Sequence, residues 1–488
     1  MQDDDITNLD GCALSQAIHS RQVSAREVMQ AYLARIAALN PQVNALVGLL
    51  PPEGLLQQAD ERDAMLAQGR SMGWMHGFPM AIKDLSAVQG VVTTKGSPLL
   101  RHERPDHDAL MVARMKAAGG IVIGRTNVPE FGLGSHSYNP VYGTTLNPWD
   151  RTRSAGGSSG GAAVSLALRL QPVADGSDMM GSLRNPAAFN NVFGLRPSAG
   201  RVPQGPPADQ FIQQLATDGP MGRRVADVAR LLALQAGPDP RAPLAIAQDP
   251  AGLAEPGLPG EAELRGLRIG WLGDLGGHLP MAPGILTACE AGLRRFEALG
   301  ARVEPIVLGY PPAKVWDTWL AWRRWLVTGR LAALYRDPAL RARMKPEARW
   351  EVEQGLAMTA ADVCAASQAR SELYQHLVGL YARHDLLVLP SAQVWPFDAT
   401  LDWPKAIDGT AMDTYHRWME VVVLATLGGL PAMSVPVGFG PEGLPMGMQL
   451  IGPPQGDLAV LRWSAAYETT VPDLLAREPS WAVSSLSP

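Results

Sequence analysis

The sequence is short of several things that would assign a function at once. Cysteines are few: Cys12, Cys289 and Cys364 are odd in number and far apart in a chain of 488 residues. No CxxC or Cys/His spacing links them, which argues against a disulfide framework and against a zinc site. An excess of positive charge is also missing. The net charge of −5 leaves no electrostatic footprint for nucleic acid. No apolar run reaches about 18 residues, so no membrane span is expected. The start, MQDDDITNLD, is acidic and polar, unlike a secretory signal. These absences predict a soluble, cytoplasmic protein. Oligomeric state stays open between a monomer and a homo-oligomer. Lysine is scarce too, limited to Lys83, Lys95, Lys116, Lys314, Lys345 and Lys405. Arginine does not release its proton near neutral pH, whereas a buried lysine does, so a lysine in an apolar setting stands out.

What is present is an alternation of helix and strand signals with no evident linker, repeat or low-complexity tract. Ser24-Ala25-Arg26-Glu27 is a capping box opening a helix through Val28, Tyr32, Ile36 and Leu39. Leu55 to Leu66 reads as a second helix. Phe78 to Leu85 is a strand-like apolar run with Lys83 inside it. Taken alone, it predicts an edge-strand or loop lysine that reaches water. Asp108 to Ala118 is helical and Ile121 to Gly124 a short buried strand, which fits a βαβ-like layer. A long polar loop runs from Arg125 to Arg153. With Tyr138, Tyr142 and Trp149 in it, a pocket wall is expected. Further on, Val315 to Leu326 is a helix carrying Trp316, Trp319, Trp322 and Trp325. Trp316 and Trp319 share a face; core packing is expected for most of the four, with one or two left for a substrate cleft. Helices at 285–299, 359–383 and 458–469 alternate with strands at 267–272, 301–307, 386–389, 429–436 and 444–452.

The chain is organised around Ser154 to Pro203. Two Gly/Ser clusters, Gly156-Gly157-Ser158-Ser159-Gly160-Gly161 and Gly176-Ser177-Asp178-Met179-Met180-Gly181-Ser182, flank an apolar segment. Brought together, they place hydroxyls beside a nest of free N–H groups, the raw material for acyl transfer. A phosphate loop would need Lys-Ser or Lys-Thr after the first cluster, and Ala162-Ala163 stands there instead. A flexible linker fits poorly with the apolar flanks. A catalytic loop remains, although no GxSxG elbow is present and no histidine sits in a motif that marks a triad base.

Lys83 within Pro-Met-Ala-Ile-Lys-Asp, GGSSGG, GSDxxGSxRxPA and GLRPSxGRV together resemble the amidase signature family. The spacing agrees, with 75 residues from Lys83 to Ser158 and 24 from Ser158 to Ser182. Gly124-Arg125-Thr126-Asn127, Asn147-Pro148-Trp149-Asp150, Gly219-Pro220-Met221, Gly429-Leu430-Pro431 and Gln449-Leu450-Ile451-Gly452 are similar to further landmarks. The likeness is close over residues 8–200 and 420–470. The resemblance implies one amidase-type α/β/α domain over 1–488, built on a mixed, largely parallel sheet. Residues 240–420 would form a variable, cap-like region that selects substrates. It also implies a Ser-Ser-Lys triad working without metal or organic cofactor on a small-molecule amide. Ser182 would be the nucleophile and Lys83 the final proton acceptor. Ser158 would stand between them, joined to Gly157 by a cis peptide bond. The backbone N–H groups of Met179, Met180, Gly181 and Ser182 would bind the oxyanion. Ser159, Asp178 and Arg184 would form a supporting shell, a role that overlaps with an ordinary structural ion pair. Met180 departs from the family's usual glycine. Either methionine is strained there, or the two methionines shape the acyl pocket; the second is the expectation.

Trp316, Trp319, Trp395 and Phe397 suggest an apolar or aromatic substrate, and aryl esters and carbamates are chemically accessible to such a site. Two rivals remain at this level. One is the glutamine-splitting subunit of a tRNA-dependent amidotransferase, which shares the signature. Met419 and Val421 to Leu424 look too apolar where that subunit carries an acidic substrate contact. The other is a non-catalytic binding protein on the same fold, which the intact Lys83, Ser158 and Ser182 disfavour.

Overall fold

The computed structural model describes residues 2–205, 209–212 and 215–484, the side chains of 483 and 484 excepted. Local signals set the helix starts. Ser24 Oγ accepts from Glu27 N at 3.1 Å while Glu27 Oε2 accepts from Ser24 N at 2.8 Å, opening the helix Ala25–Leu39. Val28, Tyr32, Ile36 and Leu39 bury its apolar face as their spacing requires.

Three strands form a small sheet: β1 (Leu46–Val47), β2 (Pro79–Lys83) and β3 (Ile121–Thr126), in the order β1-β3-β2. β2 and β3 are parallel and joined through the helix Leu110–Ala117, the βαβ-like layer expected. β2 is an edge strand, but its edge is covered. Ala81 N donates to Gln171 Oε1 at 2.7 Å, and Lys83 N donates to Asp175 Oδ1 at 3.1 Å. Side chains from a distant segment thus take the N–H groups an edge leaves unpaired. All five residues of β2 are buried, so the expectation of a lysine reaching water is corrected.

The large sheet has eight strands: β4 (Ala174–Asp178), β5 (Phe193–Arg196), β6 (Thr217–Gly222), β7 (Arg268–Trp271), β8 (Arg302–Pro305), β9 (Leu386–Pro390), β10 (Ala432–Phe439) and β11 (Pro445–Ile451). Their order is β8-β7-β9-β11-β10-β5-β6-β4. The sheet is mixed, as expected, but it is not largely parallel. Only the β8-β7 and β7-β9 pairs are parallel; the other five are antiparallel. The reason lies in the connections. Parallel neighbours need a long crossover, and β7, β8 and β9 are separated by helices; β10 and β11 are joined by a short turn and form a hairpin.

Helices lie on both faces. A Cβ built on Gly447 would stand 3.1 Å from Ala188 Cβ on the helix Arg184–Asn190. The next residue, Met448, reaches Gly292 on the helix Ile285–Ala298. Adjacent strand residues point to opposite faces, so these two helices sandwich the sheet. The tryptophan-rich helix runs from Pro312 to Arg336, well past Leu326, because the exposed Gly329 does not stop it. A helical glycine costs only about 1 kcal/mol against alanine. Trp316 and Trp319 are buried in the core. Among the described residues, no helix is long and apolar enough to cross a membrane.

Candidate active site

Lys83 ends β2, Ser158 and Ser159 precede the helix Gly160–Ala167, and Ser177 and Asp178 end β4. The turn Met179–Leu183 then leads into the helix Arg184–Asn190. Close backbone approach explains the glycines of the first cluster. A Cβ on Gly161 would meet Asn127 N at 2.3 Å and Ala45 O at 2.5 Å, so only glycine lets that helix start lie against the loop after β3. In the second cluster the left-handed position is Gly181, at φ 74°, and not Met180. Methionine is therefore accommodated at 180 without backbone strain. Its side chain is buried and, with that of Met179, lines the cavity.

The amine of Lys83 sits among oxygens. Nζ lies 2.9 Å from Ser158 Oγ, 2.7 Å from Ser159 Oγ, 2.9 Å from Ser177 Oγ and 3.1 Å from the Ser177 carbonyl. Among the described residues, no carboxylate is in contact with it. Burial lowers its pKa to about 7, against the opposing pull of Asp175, Asp218 and Asp178. Burial likewise raises Asp175 and Asp218 to about 6. The peptide bond between Gly157 and Ser158 is cis, as the resemblance implied.

Ser182 is brought to the same cavity as Ser158 and Ser177. Its carbonyl accepts from Ser159 N at 3.2 Å, but its hydroxyl makes no hydrogen bond to Ser158. Of the four backbone donors expected around an oxyanion, Gly181 N is engaged elsewhere, donating to Asp178 Oδ1 at 3.0 Å. Asp178 is the anchor of this turn. It also accepts from Leu183 N at 3.1 Å, from Arg184 Nε and Nη2 at 3.0 Å each, and from Arg196 Nη1 at 3.2 Å. Burial pushes its carboxyl up, yet Arg184 and Arg196 outweigh that and hold it well below the usual carboxylate range. Arg184 continues the tie, donating to Val422 O at 3.0 Å and Thr426 Oγ1 at 3.3 Å.

The cavity walls differ from those the sequence suggested. Trp316, Trp319, Trp395 and Phe397 do not line it, nor do Tyr138, Tyr142 and Trp149. The long loop does supply a wall, through Phe131 to Ser135. Leu85, Val327 and Leu331 add apolar surface, and Arg323, Arg330 and His416 bring charge and an imidazole to the lining. Sequence reasoning missed these three, together with Ser177 and Asp175. Arg323, Val327, Arg330 and Leu331 do carry a signal, since they fall on one face of a helix at i, i+4, i+7 and i+8.

A family model described as amidase matches residues 27–461. The chain is 32% identical over 472 residues to an acylamidase of Rhodococcus erythropolis, covering 95% of this chain and 96% of that protein. It is 33% identical over 490 residues to a glutamyl-tRNA(Gln) amidotransferase subunit of Thermosynechococcus vestitus, covering 94% and 97%. Among solved structures, a bacterial aryl acylamidase of the amidase signature family superposes with a TM-score of 0.87 at 28% identity, covering 97% of this chain and all of that one. The resemblance read from the motifs is borne out, and the chain belongs to the amidase family as an amide hydrolase of the amidase signature type.

Proposed function

We propose that this protein hydrolyses the amide bond of a small substrate through an acyl-Ser182 intermediate, with Lys83 as base and Ser158 as relay. The observation that carries this is the Lys83 amine, buried, clear of carboxylate contact among the described residues and 2.9 Å from Ser158 Oγ. With a pKa of about 7 it is available as a neutral base near neutral pH. A hydroxyl both donates and accepts, so Ser158 passes the Ser182 proton to Lys83. Ser158 and Ser182 line the same cavity, and this reading requires their hydroxyls to meet in the substrate complex, where catalytic hydrogen bonds often tighten. Attack on the carbonyl carbon forms the Ser182–acyl bond and puts negative charge on the carbonyl oxygen. The N–H groups of Met179, Met180 and Ser182 receive that charge, Gly181 N being held by Asp178. Collapse breaks the C–N bond, and the relay returns its proton to the leaving amine. Water, deprotonated by the same relay, then releases the acid. Ser159 and Ser177 hold the amine in place, and Asp178 and Arg184 hold the turn.

A single amidase-type domain over 1–488 is part of this reading. It is supported by the large sheet, which draws strands from 174–222, 268–305 and 386–451. Substrate selection by 240–420 is supported by the origin of Arg323, Val327, Arg330, Leu331 and His416 in that region. The glutaminase reading is not favoured. Glutamine carries an ammonium group, and among the described residues no Asp or Glu lines the cavity to receive it.

The test is a panel of p-nitroanilides, esters and aryl carbamates of graded acyl size, with a fluorophosphonate to label the nucleophile. Turnover of anilides and labelling at Ser182 are expected. Labelling at another serine, or glutamine as the only amide cleaved, would overturn the reading. In the same panel Met180→Gly is expected to shift the optimum to bulkier acyl groups by about tenfold in kcat/KM, the scale of a few methylenes in an apolar pocket. An unchanged acyl profile would remove Met180 from the pocket wall.

A further inference from the structure

The cavity contains a buried polar side chain that the hydrolytic steps do not use. His416 is 3% exposed, yet neither ring nitrogen has a hydrogen-bond partner among the described residues. Its orientation is fixed by packing. The ring stacks on Tyr415, centroids 4.5 Å apart at 21°, and leans on Trp316 at 5.3 Å. Burial, and then Arg323, Arg324 and Arg417 around it, disfavour the charged imidazolium. The ring is therefore neutral, with one N–H to donate and one lone pair to offer.

Arg323 shares the neighbours Tyr415 and Trp319 with His416. Its Nε donates to Glu351 Oε1 at 2.8 Å and its Nη2 to Tyr415 OH at 2.6 Å. Among the described residues its remaining nitrogen, Nη1, meets the thioether of Met179 alone, at 3.5 Å. A thioether is a weak acceptor, so this guanidinium edge is held in place without a strong partner of its own. Two turns further along the helix, roughly 10 Å, the exposed Arg330 stands at the cavity rim. Glu351 offsets the charge of Arg323 by direct contact. Asp218 and Asp209 act on Arg330 electrostatically, but neither carboxylate lines this cavity. Among the described residues, no acid lines it at all.

Resting on the hydrolase reading above, we infer that the cavity is built for an amide that carries a carboxylate on an apolar body. His416 N–H and Arg323 Nη1 donate to the carboxylate oxygens, and Arg330 supplies positive charge at the entrance. Leu85, Phe131, Leu133, Val327 and Leu331 pack the apolar part. Unlike neutral donors alone, this set discriminates by charge as well as by hydrogen bonding.

Three p-nitroanilides of equal chain length test this: valeryl, glutaryl with its free terminal carboxylate, and the methyl ester of the glutaryl compound. The glutaryl compound is expected to exceed both others by at least about tenfold in kcat/KM. His416→Phe keeps the aromatic stack and removes both ring nitrogens. It is expected to erase that preference, read as the ratio of glutaryl to valeryl kcat/KM within the variant, with fluorophosphonate labelling of Ser182 reporting whether the nucleophile is intact. His416→Gln, which keeps a donor, is expected to restore part of the preference, and Arg330→Gln to lower glutaryl turnover alone. Equal or better use of the valeryl compound by the wild type would overturn the inference, as would a preference that survives in His416→Phe. Should His416→Phe lose Ser182 labelling, the preference in Arg330→Gln and His416→Gln decides, and an unchanged preference in both overturns it. Absence of all turnover and of Ser182 labelling in the wild type would overturn the hydrolase reading and this inference with it.

Discussion

Lys83→Met is expected to lower kcat/KM for an anilide by about 10²–10⁴-fold, the usual worth of a general base, and to abolish the pH dependence that the wild type shows near neutrality. In the wild type, activity should rise as pH increases through about 7, because the neutral amine is the form that accepts a proton. The cause is burial, which outweighs Asp175, Asp218 and Asp178. The same shift has a consequence for stability. The folded pKa lies below the unfolded lysine value of about 10.4. Between about 7 and that value the unfolded chain binds the proton and the folded chain does not, so stability attributable to this group rises with pH across that window. Methionine at 83 removes both slopes. Ser182→Ala is the companion measurement. It should remove fluorophosphonate labelling and cost on the order of 10⁴–10⁶-fold in kcat, as loss of a serine nucleophile does elsewhere. An activity profile in Lys83→Met that still rises through neutral pH would assign the titrating group to another residue.

Asp178→Asn is expected to be the most damaging single substitution for stability outside the apolar core. The carboxylate is fully buried with Arg184 and Arg196, and it organises the turn bearing Met179 to Ser182. Asparagine keeps the shape but leaves two buried guanidinium groups without a counter-charge. Breaking a buried pair from one side costs about 3–5 kcal/mol, readable as a lower urea midpoint. The Asp178 carboxyl titrates well below its ordinary value, so the stability it provides is present above about pH 4 and is lost as pH falls through the depressed folded value. The wild type should therefore lose stability on acidification more steeply than the variant. Because the turn also carries the proposed oxyanion donors, Ser182 labelling should slow in Asp178→Asn even where the protein remains folded. A variant with the wild-type urea midpoint and labelling rate would show that the turn is ordered by other contacts.

The parts of the molecule legible in the sequence are those where chemistry and backbone demand the same residues. Ser24 and Glu27 fix a helix start through bonds three residues apart, and the structure reproduces them. The apolar periodicity of Ile285 to Leu299 and Leu458 to Thr469 locates the helices Ile285–Ala298 and Asp457–Glu468 within a residue or two. The groups proposed to react were legible for a different reason. Ser158 and Ser182 sit in clusters whose glycines answer to backbone demands, the 2.3 Å approach at Gly161 and the φ of 74° at Gly181, while Lys83 stands out by its place in an apolar run and by the motif's resemblance to the family. Expectations failed where pairing between distant segments decides. A covered edge strand and an exposed one have the same apolar run, so nothing in Phe78 to Leu85 announces that Gln171 and Asp175 will close the edge.

The sequence by itself determined the family, the side chains proposed to react and most of the helices and strands, because these depend on residue type at short range. Tertiary structure alone decided how the strands pair, how deeply Lys83 is buried and which residues line the cavity. The lowered pKa of the amine comes from burial, and that burial arises from segments about 90 residues away. The cavity wall is set in the same way. Arg323, Arg330 and His416 become neighbours of Ser182 only when the long helix and the 416–428 segment fold over the signature loops. Aromatic content pointed to the tryptophans, but packing sent Trp316 and Trp319 into the core and placed Arg323, Arg330 and His416 in the cavity wall.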